Sequence, residues 1–447
     1  MSPAQPRPDL PRANVPILNA LSPNALNFDE ASALVAAYAA KCAQHRPSVE
    51  RIPLARAVGR VLAEPLRADS DQPPFARSTR DGFACRAADA SAHRPLAVAG
   101  ATRAGQAPSG PLPHGSAWEI MTGAPIPLGA DAVVMLEHVE TSDGPSAPTI
   151  RLLPHRAIEK NENIVARGAQ ARKGDELLPV GTAIGAAQVA LAAACGCAEL
   201  KVFAKPRVAI LATGDELVRI RSSPAPGQIR NSSSAMLAAM VSAGGGEPWV
   251  LPTARDTAKS LDAAIARAAT ADLLLITGGV SAGKFDLVEP ALARAGARFH
   301  FTGVRIQPGK PVVFGEMSHH ATGLVQNKNG TKCFFGLPGN PVSSAVTFLL
   351  FAAPVLAALA GRIDHGPRFS LARLTSEVKA KPGLTRFLPA ACTFAGPFPQ
   401  VALVPSEGSG DLAAMARANC FLVVPDEDDL RPKSRLEPGA TVRILLP

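Results

Sequence analysis

Aromatic side chains are scarce in this sequence. They make up 4% of 447 residues and include a single tyrosine, so the cores must be assembled from Ala, Leu and Val. Paired cysteines are missing as well. The seven cysteines (Cys42, Cys85, Cys195, Cys197, Cys333, Cys392, Cys420) form no C-x-x-C and lie far from paired histidines. An odd, dispersed set excludes a disulfide scaffold or zinc ribbon and fits buried thiols in a reducing cytoplasm. The histidines show no H-E-x-x-H spacing, and the one cluster, His319-His320, reads as a loop. No Lys/Arg run reaches five, and no aromatic platform is interleaved with the basic residues, which argues against nucleic acid. The N-terminal "MSPAQPRPDLPRAN" has no apolar core, so no secretory signal is expected. Only one stretch, "VSSAVTFLLFAAPVLAALAG" (342–361), is apolar enough to raise a membrane span. Its Ser343, Ser344, Thr347 and central Pro354 favour a buried helix of an α/β core, and no membrane is expected.

What is present is length, apolar material and basic charge. The chain is 47% hydrophobic and long enough for two to four domains. Forty-two prolines point to turns and edge strands, not a helical bundle. The net charge of +9 fits either a solvated basic surface or an anionic ligand.

Texture along the chain divides it. A proline-rich tail (1–14), expected to be disordered, precedes a helical or mixed domain in two pieces, 15–61 and 158–204. The helix "NFDEASALVAAYAAKCA" begins there with Asn27 or Asp29 as cap. Between the pieces, 62–157 reads as short strands broken by Pro and Gly, an inserted β-rich domain. From 205 to 363 strands alternate with helices. The near-continuous apolar runs "RVAILAT" and "DLLLIT" predict a doubly wound parallel sheet. The remainder, 364–447, reads as a compact β domain of barrel type.

In open α/β sheets ligands sit beyond the carboxyl ends of the strands. Three motifs fall at such ends. "TGDEL" brings Thr213, Gly214, Asp215 and Glu216. "GGVSAGKFD" brings Gly278, Gly279, Ser281, Gly283, Lys284 and Asp286. "LPGNPVSS" brings Pro338, Gly339, Asn340, Pro341, Ser343 and Ser344, and Asp256 in "ARDT" adds a carboxylate. Singly, each fits a tight turn or a helix-start acid. Together they describe a metal-assisted phosphate site. Glycine-freed N–H groups cradle phosphate oxygens, and a divalent cation such as Mg²⁺ neutralises the carboxylates beside them. "GGVSAGKF" is almost a Walker A loop, but Phe285 replaces the Ser/Thr that would hold Mg²⁺, and Pro290 suits the long helix of a P-loop poorly. A second anion site is suggested by "IQPGKP", which carries Gln307 and Lys310, together with Arg386 and the Ser406/Ser409 pair.

With these motifs in order, the chain resembles the molybdopterin molybdenumtransferases, the bacterial MoeA proteins and the E domain of gephyrin. The likeness runs through "QPPFARSTRDGFACRAAD", "IMTGAPIPLGADAVVMLE", "ILATGDELV", "GQIRNSSSAMLAAMV", "LLLITGGVSAGKFDLVEPAL", "IQPGKPVVFG", "FFGLPGNPVSSA" and "GSGDLAAMARANCFLVVP". The resemblance implies four domains and a cytoplasmic homodimer with active sites between protomers. It implies a Mg²⁺-dependent reaction in which molybdate and adenylylated molybdopterin combine, the metal joins the dithiolene sulfurs, and AMP is released. The TGDE and TGGVS loops would then hold the nucleotide-linked pterin, Asp256 and Asp286 would bind Mg²⁺, and Glu216 would be the functional acid. Lys310, Ser343, Arg386 and Ser409 would form the molybdate pocket. Asp81 and Thr122 would come from the dimer partner. Implied partners are a molybdopterin adenylyltransferase upstream and acceptor molybdoenzymes downstream.

Three positions depart from the family pattern. Ala76 stands where many members have Asp, Gln307 where a lysine is common, and Lys284 where Glu or Asp is frequent. Lys284 would add positive charge that offsets the loss at Gln307. The rival readings are a molybdopterin adenylyltransferase, which needs only the α/β domain, and a weakened paralogue acting as a scaffold.

Overall fold

The computed structural model describes residues 25–143, 148–280, 287–318, 331–426 and 435–447. The chain divides into two compact units. One holds the chain up to Ser48 and from Phe203 onward, and the other is Val49–Val202.

In the first unit the strand Arg207–Ala212 pairs in parallel with Glu247–Val250 on one side and with Leu273–Thr277 on the other. Leu273–Thr277 in turn pairs in parallel with Thr331–Leu337. Two further strands, Val313–Ser318 and Ala297–Thr302, complete a six-stranded sheet through antiparallel pairs. The doubly wound parallel sheet expected from the sequence is present in four strands, and at one edge Val313–Ser318 runs against its neighbours. An apolar run looks the same in either direction, so the sequence could not announce this.

Both faces of the sheet are covered, which is why its strands read as unbroken apolar runs. Val208, Ile210, Leu273 and Leu275 face one core with Leu237, Val346 and Phe351. The alternate residues Ala209, Leu211, Leu274 and Ile276 face a second core with Leu261, Ile265 and Leu292. The helix Phe28–Ala43 starts at a capping box in which Asn27 and Glu30 exchange side chain-to-backbone hydrogen bonds of 2.8 Å. It buries Phe28, Ala31, Val35 and Ala39 in the first core. It thus belongs with the α/β unit, whereas its sequence position suggested a partnership with residues 158–204.

The apolar stretch that raised a membrane span is the helix Pro341–Leu359, with 83% of its most apolar window buried within the protein. The turn Phe348–Ala352 is widened to π geometry just before Pro354. Proline lacks the N–H for the carbonyl four residues back and its ring crowds that group, so the widening keeps the helix continuous.

The C-terminal strands close on themselves as the sequence predicted. Thr385–Thr393, Gln400–Leu403, Phe369–Leu374, Thr441–Leu445 and Cys420–Val424 form a barrel of five strands, sealed by pairing of the last with the first. A short strand, Ile306–Gln307, from the α/β region pairs in parallel with Thr385–Arg386 of this barrel.

The second unit contains a six-stranded sheet in the order Ala132–Met135, Gly82–Cys85, Ser116–Ile120, Leu96–Thr102, Pro148–Leu152 and Val139–Asp143. Its inner face packs Phe83, Leu96, Ala117, Val134, Ile150 and Leu152. Trp118 is buried and donates its indole N–H to Thr102 at 2.7 Å.

Candidate active site

A cleft of about 1350 Å³ opens beyond the carboxyl ends of the parallel strands and continues along the barrel. Loops that follow three strands line one end. Thr213, Gly214 and Glu216 follow Arg207–Ala212, Gly278 and Gly279 follow Leu273–Thr277, and Pro338, Gly339 and Asn340 follow Thr331–Leu337. Asp256 joins them from the loop after Glu247–Val250 and accepts the backbone N–H of Asp215 at 3.4 Å.

The glycine at 278 is required by geometry. Its φ is +91°, and an added Cβ would meet the Thr213 carbonyl oxygen at 2.6 Å. Beneath it, Thr277 donates to the Pro338 carbonyl at 3.3 Å and shares a 3.2 Å hydrogen bond with the hydroxyl of Ser344. Ser344 also donates to Pro338. These buried hydroxyls satisfy the backbone of the Pro-Gly turn and leave Ser343 to line the cleft.

The other end is built from the 306–311 loop and the barrel. Gln307 and Lys310 line it together with Lys381, Arg386, Ser406 and Ser409. Parallel pairing sets Gln307 directly opposite Arg386. One guanidinium nitrogen of Arg386 donates to the Lys379 carbonyl at 2.9 Å, while its Nε is buried without a partner, as is Oε1 of Gln307. Burial lowers the Arg386 pKa from its ordinary value, and the group stays charged. Ser409 accepts the Asn340 amide at 2.8 Å and takes the Val342 N–H on its carbonyl at 3.1 Å, which joins the barrel loop to the start of the core helix. Asp411 shapes that loop. It caps the helix Leu412–Arg417 by accepting Ala414 N–H at 2.9 Å and Glu407 N–H at 3.1 Å, and these donors hold its carboxyl below the usual range.

Fifteen of the residues singled out in the sequence thus meet in one cleft: Thr213, Gly214, Glu216, Asp256, Gly278, Gly279, Gln307, Lys310, Pro338, Gly339, Asn340, Ser343, Arg386, Ser406 and Ser409. Asp215 and Pro341 adjoin it without lining it. Asp81 and Thr122 meet elsewhere, in the second unit, where the Asp81 carboxylate accepts the Thr122 N–H at 2.6 Å and is held below its usual pKa by it. Ser281, Gly283, Lys284 and Asp286 lie outside the described residues. Sequence reasoning missed Lys381 and Asp411. The "KPG" of residues 381–383 echoes the stiff lysine turn at 308–311, and Asp411 precedes a helix as a cap would, so both carried a faint signal.

Glu216 and Asp256 line the glycine end, and among the described residues no group of three or more Cys, His, Asp and Glu converges on one point. An all-protein cage is thereby absent from the described residues. Mg²⁺ needs none, because it takes one or two carboxylates and completes its shell with water and substrate phosphate.

Fold and cleft together define the class: an α/β ligand-binding unit completed by a β-barrel, with carboxylates and glycines at one end of the cleft and cations at the other. Family models match nearly the whole chain. They describe the MoeA N-terminal region (domain I and II) over 26–196, a probable molybdopterin binding domain over 209–358 and the MoeA C-terminal region (domain IV) over 371–446. A molybdopterin molybdenumtransferase of Nostoc sp. is 36% identical over 318 residues, 70% of each chain. That of Haemophilus influenzae is 32% identical over 88% of this chain and 93% of its own. Two crystal structures of the molybdopterin biosynthesis MoeA protein from Pyrococcus horikoshii align with TM-scores of 0.68 and 0.74. They are 31% and 27% identical, covering 94% and 95% of this chain and 99% and 100% of theirs. The chain belongs to the MoeA family of molybdopterin molybdenumtransferases, the transferases of molybdenum cofactor biosynthesis.

Proposed function

We propose that this protein inserts molybdenum into adenylylated molybdopterin, taking molybdate at the cationic end of the cleft and releasing AMP from the glycine end. The observation that carries the reading is the division of charge within one cleft. Glu216 and Asp256 stand among glycine loops, and Lys310 and Arg386 stand among hydroxyls of Ser343, Ser406 and Ser409.

At the glycine end, backbone N–H groups hold the phosphate and the strained turn at Gly278 lets it approach closely. Asp256, with Asp286 from the same reading, would hold Mg²⁺, which supplies charge neutralisation for the departing AMP phosphate. Glu216, which lines this end, would orient water and take its proton, the role of a general base. At the cationic end, Lys310 and Arg386 balance the charge of the oxyanion. The Ser343 and Ser409 hydroxyls fix its orientation, with Ser409 set in place by Asn340. Bringing both substrates into one cleft turns their encounter into an intramolecular step.

The reading extends to a cytoplasmic homodimer in which Asp81 and Thr122 complete the partner's cleft, with a molybdopterin adenylyltransferase upstream and molybdoenzymes as acceptors. Incubation with adenylylated molybdopterin, Mg²⁺ and either molybdate or tungstate tests it. AMP release that depends on oxyanion, together with cofactor that activates an apo-molybdoenzyme, is the expected result. No AMP release with either oxyanion would overturn the reading.

A further inference from the structure

Among the described residues that line the cleft, three carry positive charge: Lys310, Arg386 and Lys381. The first two belong to the oxyanion end as already described. Lys381 has no role there so far, yet its backbone is tied into the same pocket. It opens a tight turn that bridges back to Leu384, two residues before Arg386. Gly383, inside the turn, donates its N–H to the Asp426 carboxylate at 2.8 Å. On the other side the Lys379 carbonyl accepts the Arg386 guanidinium at 2.9 Å. The turn is therefore anchored at both ends, while the Lys381 side chain is exposed at the rim.

Charge inside the pocket is short. Gln307, opposite Arg386, is a neutral amide whose buried Oε1 has no partner, and the buried Nε of Arg386 has none either. Among the described residues neither Lys310 nor Lys381 is held in an ion pair, so both charges are available to a ligand. A tetrahedral dianion seated against Arg386 and Gln307 would gain from a further cation at the rim in proportion to its own charge.

We propose that Lys381 is a specificity-determining residue of the oxyanion site, supplying from the barrel turn the charge that makes the pocket prefer a tetrahedral dianion to a tetrahedral monoanion. The proposal rests on the reading of this end as the molybdate site. Its signature follows from Coulomb's law. The free energy that one cation contributes doubles when the ligand charge doubles, so the loss in affinity on removing it is squared. A lysine that only supports the turn would affect both anions alike.

The test is equilibrium binding of molybdate and of perrhenate, a tetrahedral monoanion, to the full-length protein at low ionic strength. Lys381→Met is expected to weaken molybdate about tenfold and perrhenate about threefold, and to narrow the preference between them accordingly. Lys381→Arg should restore the preference. If Lys381→Met leaves the ratio of the two affinities at its wild-type value, whether both fall or neither does, the proposal is overturned. Wild-type protein that binds neither anion would instead bring down the molybdate reading itself, and this inference with it.

Discussion

The cleft sets two ways of holding an anion side by side. At the α/β end the binding groups are backbone N–H groups on glycine turns after parallel strands, with the carboxylates Glu216 and Asp256 among them. At the barrel end they are side chains, Lys310, Lys381, Arg386 and serine hydroxyls, carried on a stiff loop and a strand. The first arrangement needs a cation to be compatible with phosphate, and the second does not. On the proposed reading the two substrates would be recognised by separable chemistry, so disabling one end should leave binding at the other intact.

Glu216→Gln should have the largest effect, lowering AMP release by about 10²–10⁴-fold, as loss of a general base does. Binding of molybdate, measured separately, should stay near wild type. A comparable loss at both ends would break the comparison. Chelation with EDTA sharpens it further: AMP release should fall at least about a hundredfold and return on adding Mg²⁺, with oxyanion binding unaffected. Arg386→Ala addresses the opposite end. Losing a charged hydrogen-bond donor should raise the molybdate dissociation constant about 10–100-fold, and saturating molybdate should recover AMP release. The smallest effect is expected from Gly278→Ala. Its new Cβ would lie 2.6 Å from the Thr213 carbonyl oxygen at φ +91°, a strain of about 1–3 kcal/mol readable as a lower urea midpoint. AMP release should suffer and oxyanion affinity should not.

The same contrast explains what could be read in advance. TGDE, TGG and LPGNP were legible because their chemistry is local. A parallel strand ends, glycine or proline turns the chain, and the ligand lies beyond. The barrel end was only half legible. Lys310, Arg386 and Ser409 were named, but pairing of Gln307 with Arg386 depends on Ile306–Gln307 reaching across to the barrel, and no sequence period records that. Lys381 was passed over because an exposed lysine in a Pro-Gly turn has the look of any solvated turn. The helix Phe28–Ala43 displayed its apolar face clearly, yet Phe28, Ala31, Val35 and Ala39 do not say which surface they cover. Tertiary pairing supplied each of these answers.

The two-residue strand Ile306–Gln307 has a consequence for assembly. Because it lies between the α/β sheet and the barrel, the oxyanion pocket exists only when both have folded and docked. Any anion bound there lends its binding free energy to that docking, as ligands of a native state do. On the proposed reading molybdate would act as a clasp between sheet and barrel as well as a reactant, and a barrel that came loose would first be felt as weaker oxyanion binding.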